Sequence, residues 1–292
     1  MKTSTDGVPS ISFDALIPAD MARKAEDTGI KKANLDFLST FALAVLAGAF
    51  IALGAVFATV AWTTGGEAVP WGFGRVIGGL CFSLGLILVI VGGAELFTGN
   101  NLIIMAWSSR KISHWRLLRN WIIVYLGNLV GAVATALLLY VAGQYQMAGG
   151  ALGITALKIG LAKVNLGFFQ ALALGVLCNA LVCLAVWLCF SARSTLDKIG
   201  AIIFPITAFV AAGFEHCVAN MYFIPMAILI KTGAQGTFWQ AVGASSDAYT
   251  DITWGSFFLN NLLPVTLGNI IGGVFFVAVI YWLVYLRGKV PA

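Results

Sequence analysis

The feature that most constrains this chain is a series of apolar runs, each long enough to cross a lipid bilayer as a helix. A bilayer core takes about 20 apolar residues per helix. Only 10% of the 292 residues are charged, whereas soluble domains carry about a quarter. The sequence therefore predicts an all-α integral membrane protein. We expect six transmembrane segments: Phe37–Trp62, Arg75–Trp107, Trp115–Ala142, Leu166–Phe190, Lys198–Ile230 and Ser256–Leu286.

Segments two and five are too long for one straight crossing, and each contains a glycine-rich polar interruption. The interruptions read "GAELFTGNN" (93–101) and "GFEHCVANM" (213–221), with Gly, Glu and Asn at the same places. Segments three and six share a second pair of words, "LGNLVG" (126–131) and "LGNIIG" (267–272). The sequence therefore predicts two three-helix repeats with segments two and five broken. Because an odd number of crossings separates the copies, the repeats are inverted, which is typical of transport proteins.

The placement of basic residues predicts how the chain is oriented in the membrane. Thirteen of the 17 Lys and Arg residues fall in the N-terminal tail, in the loops after segments two and four, and at the C-terminus. Basic loops stay in the cytoplasm, so both termini are predicted to be cytoplasmic. We divide the chain into a cytoplasmic segment (1–36), a six-helix transmembrane channel domain (37–286) and a cytoplasmic tail (287–292).

The N-terminal segment contains one predicted short amphipathic helix, Ala19–Thr28, with Pro18 at its start and Gly29 after its end. Two interpretations stay open. The helix is either a surface helix or a movable plug at the cytoplasmic mouth. In the second case, we expect deletion of residues 1–28 to alter the response of transport to pH.

Three ionisable residues lie inside the apolar segments, where such residues are costly and usually functional. Glu95 and Glu215 occupy equivalent repeat positions, which favours a shared structural role. We expect them to accept hydrogen bonds from backbone N–H groups freed at the helix breaks. Asn100 and Asn220, which also match in the repeat, are predicted to support the same breaks.

His216 has no counterpart in the repeat, because the matching residue is Leu96. This departure from the repeat marks His216 as the candidate pathway residue. The alternative is a neutral histidine whose hydrogen bonds are satisfied in a protein core. Helix N-termini at the breaks, a titratable imidazole and Lys163 on the outer approach together favour a small anion as the permeant species.

Other classes of protein fit the sequence poorly. The five cysteines lie in apolar runs without CxxC spacing, so neither a metal site nor a cofactor is predicted. The basic residues form no face of the kind that binds nucleic acid. A membrane enzyme or a receptor is the distant alternative, since the sequence offers no nucleophile–base pair and no added soluble domain.

Five short sequence motifs resemble those of the formate–nitrite transporter family, and within it most closely those of the bacterial formate channels. They are "CFSLGLIL" (81–88), "GAELFTGN", "CNALVCLAVW" (178–187), "GFEHCVANM" and "PVTLGNIIGG" (264–273). The resemblance implies an aquaporin-like protomer with its own pore, a homopentamer and a location in the bacterial inner membrane. It implies formate as the permeant anion, with nitrite and hydrosulfide as alternatives.

The same resemblance assigns roles to individual residues. It implies an apolar constriction formed by Phe82, Leu86 and Phe209. It also implies that Thr98 bonds near the central histidine, that Lys163 faces the periplasmic approach, and that two asparagines line the path, namely Asn179 and Asn269.

An apolar constriction makes the charge of the permeant species decisive. Desolvating a bare anion there costs several kcal/mol, whereas a neutral acid pays much less. We therefore hypothesise that His216, either cationic or sharing a proton through Thr98, attracts formate and protonates it transiently. The competing hypothesis is that His216 stays charged and the anion passes bare.

Overall fold

The computed structural model describes residues 15–63 and 69–289. Within these residues all regular elements are helices, which confirms the predicted all-α fold. They are α1 (Pro18–Asn34), α2 (Phe37–Trp62), α3 (Trp71–Gly92), α4 (Ile104–Ser108), α5 (His114–Val141), α6 (Ala151–Val164), α7 (Phe168–Ser191), α8 (Thr195–Ala211), α9 (Cys217–Gly233), α10 (Gly236–Val242) and α11 (Ser256–Tyr285).

Five helices, α2, α3, α5, α7 and α11, are long and apolar enough to cross a membrane on their own. The fifth predicted segment is divided into α8 and α9, of 17 residues each. Segment two is α3 followed by an irregular stretch, a short 3₁₀ turn (Gly99–Ile103) and α4. Both predicted helix interruptions are therefore present. Helix α11 contains two π-helical stretches, Ser256–Leu262 and Val274–Val279.

Helix α1 is longer than the sequence predicts. Gly29, expected to end it, lies inside a helix that continues to Asn34. The glycine is needed for packing, because a Cβ atom there would lie 3.3 Å from Ile103 Cα and 3.2 Å from Ala106 Cβ. Met21, Ala22 and Ala25 of this helix are buried against the neighbouring helices, as expected of an amphipathic helix. Residues 1–14, including Lys2, and residues 290–292 lie outside the described residues.

Helix α2 begins at an N-cap that stands outside the membrane-spanning segment. The Asp36 carboxylate accepts a hydrogen bond of 3.0 Å from the backbone N–H of Ser39. Hydrogen bonds from Ser39 to the side chain lower the pKa of the Asp36 carboxyl below its ordinary value. The cap fixes the turn between α1 and the first span.

The helix pairs α2–α5 and α7–α11 pack in the same way in the two halves. Gly131 of α5 lies against the backbone of α2 at Val45, and Gly272 of α11 lies against the backbone of α7 at Val176. A side chain at either glycine would overlap the facing carbonyl oxygen, so only glycine permits this approach. These contacts place the two "LGN" words opposite the two helix breaks.

Helix α6, which the sequence analysis did not predict, is the counterpart of α1. Lys32 of α1 stands five residues before the first span of its half at Phe37, and Lys163 of α6 stands five residues before Phe168. Each repeat therefore contains four elements, a short helix followed by three spans. Since the halves are inverted, α1 and α6 lie on opposite sides of the protein.

Candidate functional site

Both helix breaks begin with a glycine in the left-handed region of backbone conformation. Gly93, which follows α3, has φ of 81°, and Gly213, which follows α8, has φ of 77°. Other L-residues rarely adopt this conformation. The chain then turns towards the first span of its half, where Glu95 N–H donates to Leu43 O of α2 at 3.2 Å. The matching bond in the other half runs from Glu215 N–H to Leu174 O at 3.3 Å.

The polar backbone of the first break is held by Asn128, which is fully buried. Its Oδ1 accepts from Phe97 N–H at 2.9 Å. Its Nδ2 donates to Ala44 O at 2.8 Å and to Glu95 O at 2.9 Å. Asn128 belongs to the repeated motif "LGNLVG" but was not among the residues predicted to support the break.

Asn269 does the same at the second break. Its Oδ1 accepts from Cys217 N–H at 2.9 Å, and its Nδ2 donates to Gly175 O at 2.8 Å and Glu215 O at 2.9 Å. The side-chain amide is thus bonded entirely to backbone. The resemblance assigned Asn269 to the lining of the path. Within the described part of the chain it lines neither of the two cavities described below.

The two glutamates bond side chains rather than the backbone N–H groups that we expected. Glu95 Oε1 accepts from Lys32 Nζ at 2.7 Å, and Oε2 accepts from Asn100 Nδ2 at 2.6 Å. Lys32 Nζ also donates to Asn100 Oδ1 at 2.9 Å. Asn128 and Asn269 make the hydrogen bonds to the backbone of the breaks, so each glutamate carboxylate forms an ion pair with a lysine instead.

The second half repeats this arrangement with two differences. Glu215 Oε1 accepts from Lys163 Nζ at 2.7 Å, and Oε2 accepts from Asn220 Nδ2 at 2.7 Å. Asn261 donates to the same Oε2 at 3.2 Å. Asn220 Oδ1, however, is buried and has no hydrogen-bond partner among the described residues. Lys163 Nζ lies 5.4 Å from the ring centroid of Phe223.

The predicted bond between Thr98 and His216 is present, and it joins the two breaks. Thr98 Oγ1 lies 3.0 Å from His216 Nε2. His216 is also the N-cap of α9, because its Nδ1 accepts from Ala219 N–H at 3.0 Å. Since Nδ1 accepts, a neutral imidazole carries its proton on Nε2 and donates it to Thr98.

The three residues of the expected constriction are buried beside the histidine. Phe82 and Phe209 meet edge to face, with ring centroids 5.6 Å apart. Phe209 also stacks on His216 at 5.9 Å. Leu86 lies four residues along α3 from Phe82, about one helical turn. Phe209 thus packs on the imidazole, and Phe82 packs on Phe209.

Two cavities approach this apolar cluster from opposite ends. The first cavity, of about 310 Å³, is lined by residues of α1, α3, α7 and the first break, and these include Lys32, Leu86 and Glu95. The second cavity, of about 250 Å³, is lined by His216 and Lys163 together with Phe82 and Phe209. The cluster therefore separates two cavities, each with a lysine–glutamate pair in its wall.

Arg75, which the sequence analysis used only for topology, also lines the second cavity. Its guanidinium donates to Ala211 O at 3.0 Å and to Val210 O at 2.6 Å. These are carbonyl groups in the last turn of α8, where the regular intrahelical hydrogen bonds end. Arg75 also lies over the Trp62 ring at 5.4 Å. Arg75 therefore caps the C-terminal end of α8 and adds positive charge to the cavity wall.

Asn179, the other asparagine assigned to the path, is buried between the breaks. Its Nδ2 lies within hydrogen-bond distance of three acceptors, namely Thr98 O at 3.3 Å, Asn101 Oδ1 at 2.9 Å and Asn269 O at 2.7 Å. Asn179 thus supports the backbone that presents Thr98. Contact of Asn179, Thr98 or Asn269 with a permeant species stays a prediction.

The described residues contain no group of three His, Cys, Asp or Glu side chains that could hold a metal ion. All five cysteines are free.

Comparison with known proteins gives consistent matches over the length of the chain. The family pattern described as formate/nitrite transporter matches residues 19–283. The chain is 47% identical to the formate channel FocA of Escherichia coli (strain K12) over 275 residues, which cover 94% of this chain and 96% of the relative. It is 43% identical to the formate channel FocA of Haemophilus influenzae, with 92% and 94% of the two chains covered.

Solved structures show the same similarity. A pentameric formate channel with formate bound superposes with a TM-score of 0.82 at 48% identity, covering 86% of this chain and 98% of the other. A second structure, an ion channel of the FNT family, superposes with a TM-score of 0.75 at 30% identity, covering 90% and 98%.

Proposed function

Because this chain belongs to the formate/nitrite transporter family, we propose that it carries formate across the membrane through a pore in each protomer of a homopentamer. The relatives that support this substrate are named formate channels, and the similar pentameric structure holds formate. We place the protein in the bacterial inner membrane with both termini cytoplasmic, on the basis of its Lys and Arg distribution. The observation that carries the proposal is His216, buried at the apolar cluster and open to the second cavity.

The cavities favour an anion over a cation as the species that enters. The first cavity has lysines in its wall at Lys24, Lys32 and Lys198. The second has Lys163 and Arg75. Each cavity also contains one glutamate, which is already paired with a lysine. The excess of positive charge raises the local concentration of a small monovalent anion.

The apolar cluster sets the condition for crossing between the cavities. Phe82, Leu86 and Phe209 offer a charged species no hydrogen bond, and removing an anion from water costs several kcal/mol even after relaxation. Formic acid, which is neutral, avoids most of this cost. We infer that His216 takes up a proton from the second cavity and passes it to formate, which returns the imidazole to its neutral form. Formic acid then crosses the cluster and releases the proton in the opposite cavity.

The hydrogen bonds of His216 add a requirement to this mechanism. An imidazolium has protons on both nitrogens, so a cationic His216 cannot accept from Ala219 N–H. Charging the ring therefore opens the N-cap of α9. A permanently charged His216 would lose the hydrogen bond from Ala219 N–H at all times. Under transient protonation, the bond is lost only while formate is bound. This difference favours transient protonation.

The variant His216→Asn tests the proposal, because asparagine is also a good N-cap and so retains the start of α9 while removing the titratable group. Isotope-labelled formate uptake is measured in proteoliposomes from pH 5 to 8, with and without a pH gradient. His114→Asn is the matched control, since His114 lies outside the two cavities. We expect the control to retain the pH dependence of the wild type and His216→Asn to lose both flux and pH dependence.

Unchanged flux and unchanged pH dependence in His216→Asn would refute both hypotheses, transient protonation of formate and passage of the bare anion past a permanently charged His216. Competition by nitrite and hydrosulfide in the same vesicles separates the substrate alternatives. If either ion is carried faster than formate at equal concentration, the assignment of formate fails while the pathway itself stands.

A further inference from the structure

One of the basic side chains near the start of α5 makes no hydrogen bond or ion pair with the described residues. The turn before α5 and the start of α5 carry four basic side chains, and three of them fasten α1 or the link that follows it. These bonds are Lys111 to Glu26 at 2.5 Å, Arg116 to Asn34 Oδ1 at 2.5 Å and Arg119 to Leu35 O at 3.0 Å. The fourth, Arg110, is exposed, and its guanidinium makes no hydrogen bond or ion pair with the described residues.

The backbone at Arg110 is one that usually belongs to glycine. Its φ is 59°. Arg110 N–H bonds Trp107 O at 2.9 Å and Lys111 N–H bonds Ala106 O at 3.0 Å, the pattern that ends a helix with a left-handed residue. An arginine in this conformation costs free energy that a glycine would not. Such a departure is tolerated where the side chain has a use.

Arg110 stands at the edge of a groove lined by two tryptophans and a histidine. The lining includes Trp107, Trp282 and His114, with the buried Ile112 beside them. Trp107 Nε1–H donates to His114 Nδ1 at 2.8 Å, so the neutral imidazole keeps its proton on Nε2 as a second donor next to the guanidinium. The groove thus combines one cation, one N–H donor and two indole rings.

The groove lies at the level where spans meet water. It is formed where α5 begins and where α11 approaches its end. Tryptophan is enriched at this level of a membrane protein, among the lipid headgroups. Exposed apolar side chains continue along α5 at Trp115, Leu118 and Ile122. These offer acyl chains a surface directly below the polar groove.

From this combination we propose that the Arg110 groove binds the phosphate of an anionic phospholipid from the leaflet on the α1 side. A guanidinium matches two phosphate oxygens with parallel hydrogen bonds. His114 Nε2–H reaches a third acceptor, and the indole rings cover the glycerol region. The charge of Arg110 is not cancelled by any acidic side chain lining the groove, so an anionic lipid gains more than a zwitterionic one.

The site is tested by native mass spectrometry of the intact protein released from nanodiscs of phosphatidylglycerol and phosphatidylcholine in equal amounts. Arg110→Gln removes the charge, and Arg110→Gly also relieves the left-handed backbone. Arg193→Gln is the matched control, an exposed cation on the same side but outside the groove. We expect the wild type and the control to retain phosphatidylglycerol preferentially and both Arg110 variants to lose that preference several-fold.

Two further readouts make each outcome decisive. Arg110→Gly is expected to be at least as resistant to thermal unfolding as the wild type in detergent, so loss of lipid in this variant is not loss of fold. Inorganic phosphate at millimolar concentration is not expected to compete with the lipid. Equal retention of phosphatidylglycerol by wild type and Arg110→Gly overturns the proposal. A change in oligomeric state without a change in lipid preference also overturns it and assigns the groove to contact between copies of this chain.

Discussion

The substitution Asn269→Ala tests whether one side-chain amide holds the second helix break together. Asn269 is fully buried, and each of its three hydrogen bonds ends on a backbone group. Alanine is smaller and introduces no clash, so the cost comes from the lost bonds and the space left behind. The same reasoning applies to Asn128→Ala at the first break, because its three bonds have nearly the same lengths.

The expected loss follows from the number of groups left without a partner. Hydrogen bonds inside membrane proteins contribute about 0.6 kcal/mol each on average, which gives about 2 kcal/mol for three. One buried N–H, that of Cys217, is also left unmet, and an unmet buried polar group costs about 1–3 kcal/mol. The two carbonyls lose less, since an oxygen has a second lone pair. We therefore expect a loss of about 3–5 kcal/mol in the free energy of unfolding.

The free energy of unfolding is measured by titrating mixed micelles with dodecyl sulfate and following far-ultraviolet circular dichroism. Asn165→Ala is the control, because Asn165 is an exposed asparagine just after α6. We expect the control to match the wild type. A loss of about 0.6 kcal/mol or less in Asn269→Ala, the value of a single bond, would refute the bridging role. A large loss at Asn128 with none at Asn269 would refute the equivalence of the two breaks.

Two other perturbations test the ion pairs and the packing of α1. Lys163→Gln leaves the buried Glu215 carboxylate without its cation, so we expect a loss of about 3–5 kcal/mol in the same titration. Adding Glu215→Gln should restore stability but not formate uptake, and recovery of uptake by the double variant would contradict the recruiting role of Lys163. Gly29→Leu should separate α1 from Ile103 and Ala106 and speed hydrogen exchange of the α1 amides. Gly200→Leu, at a glycine with open space around it, is the control, and equal exchange in both variants would show that close packing does not hold α1.

The membrane architecture could be predicted from sequence because its signals are local. Long apolar runs and repeated words lie within single segments, so the spans and both interruptions were found. Helix α6 was missed because its 14 residues are too few for a crossing. The predicted end of α1 was wrong because Gly29 was interpreted as the residue that ends the helix. The glycine is instead required by its close contacts with Ile103 and Ala106, which are distant in sequence.

The site was predictable by residue type, and the family resemblance also supplied Thr98 as the partner of His216, but the lysine partners of the two glutamates were not predicted. His216 and the two glutamates are conspicuous because ionisable groups are rare inside apolar segments. Their partners lie far away in sequence, as Lys32 does from Glu95 and Thr98 from His216. The role of Asn128 was present in the sequence as the asparagine of a repeated word. Only the packing of α2 on α5 showed that this asparagine faces the break.

The correspondence of α1 with α6 has a consequence for how such a chain can arise. Two copies that fold alike but insert in opposite directions must obey opposite charge biases. Any ancestral pattern of lysine and arginine common to both copies would have left the fused chain without a preferred orientation. The pairing lysines, Lys32 and Lys163, are common to both halves. Other cations of α1, Arg23, Lys24 and Lys31, exceed the single Lys158 of α6. The orientation bias therefore rests on the cations in which α1 and α6 differ, while the lysine that pairs with the buried glutamate is present in both halves.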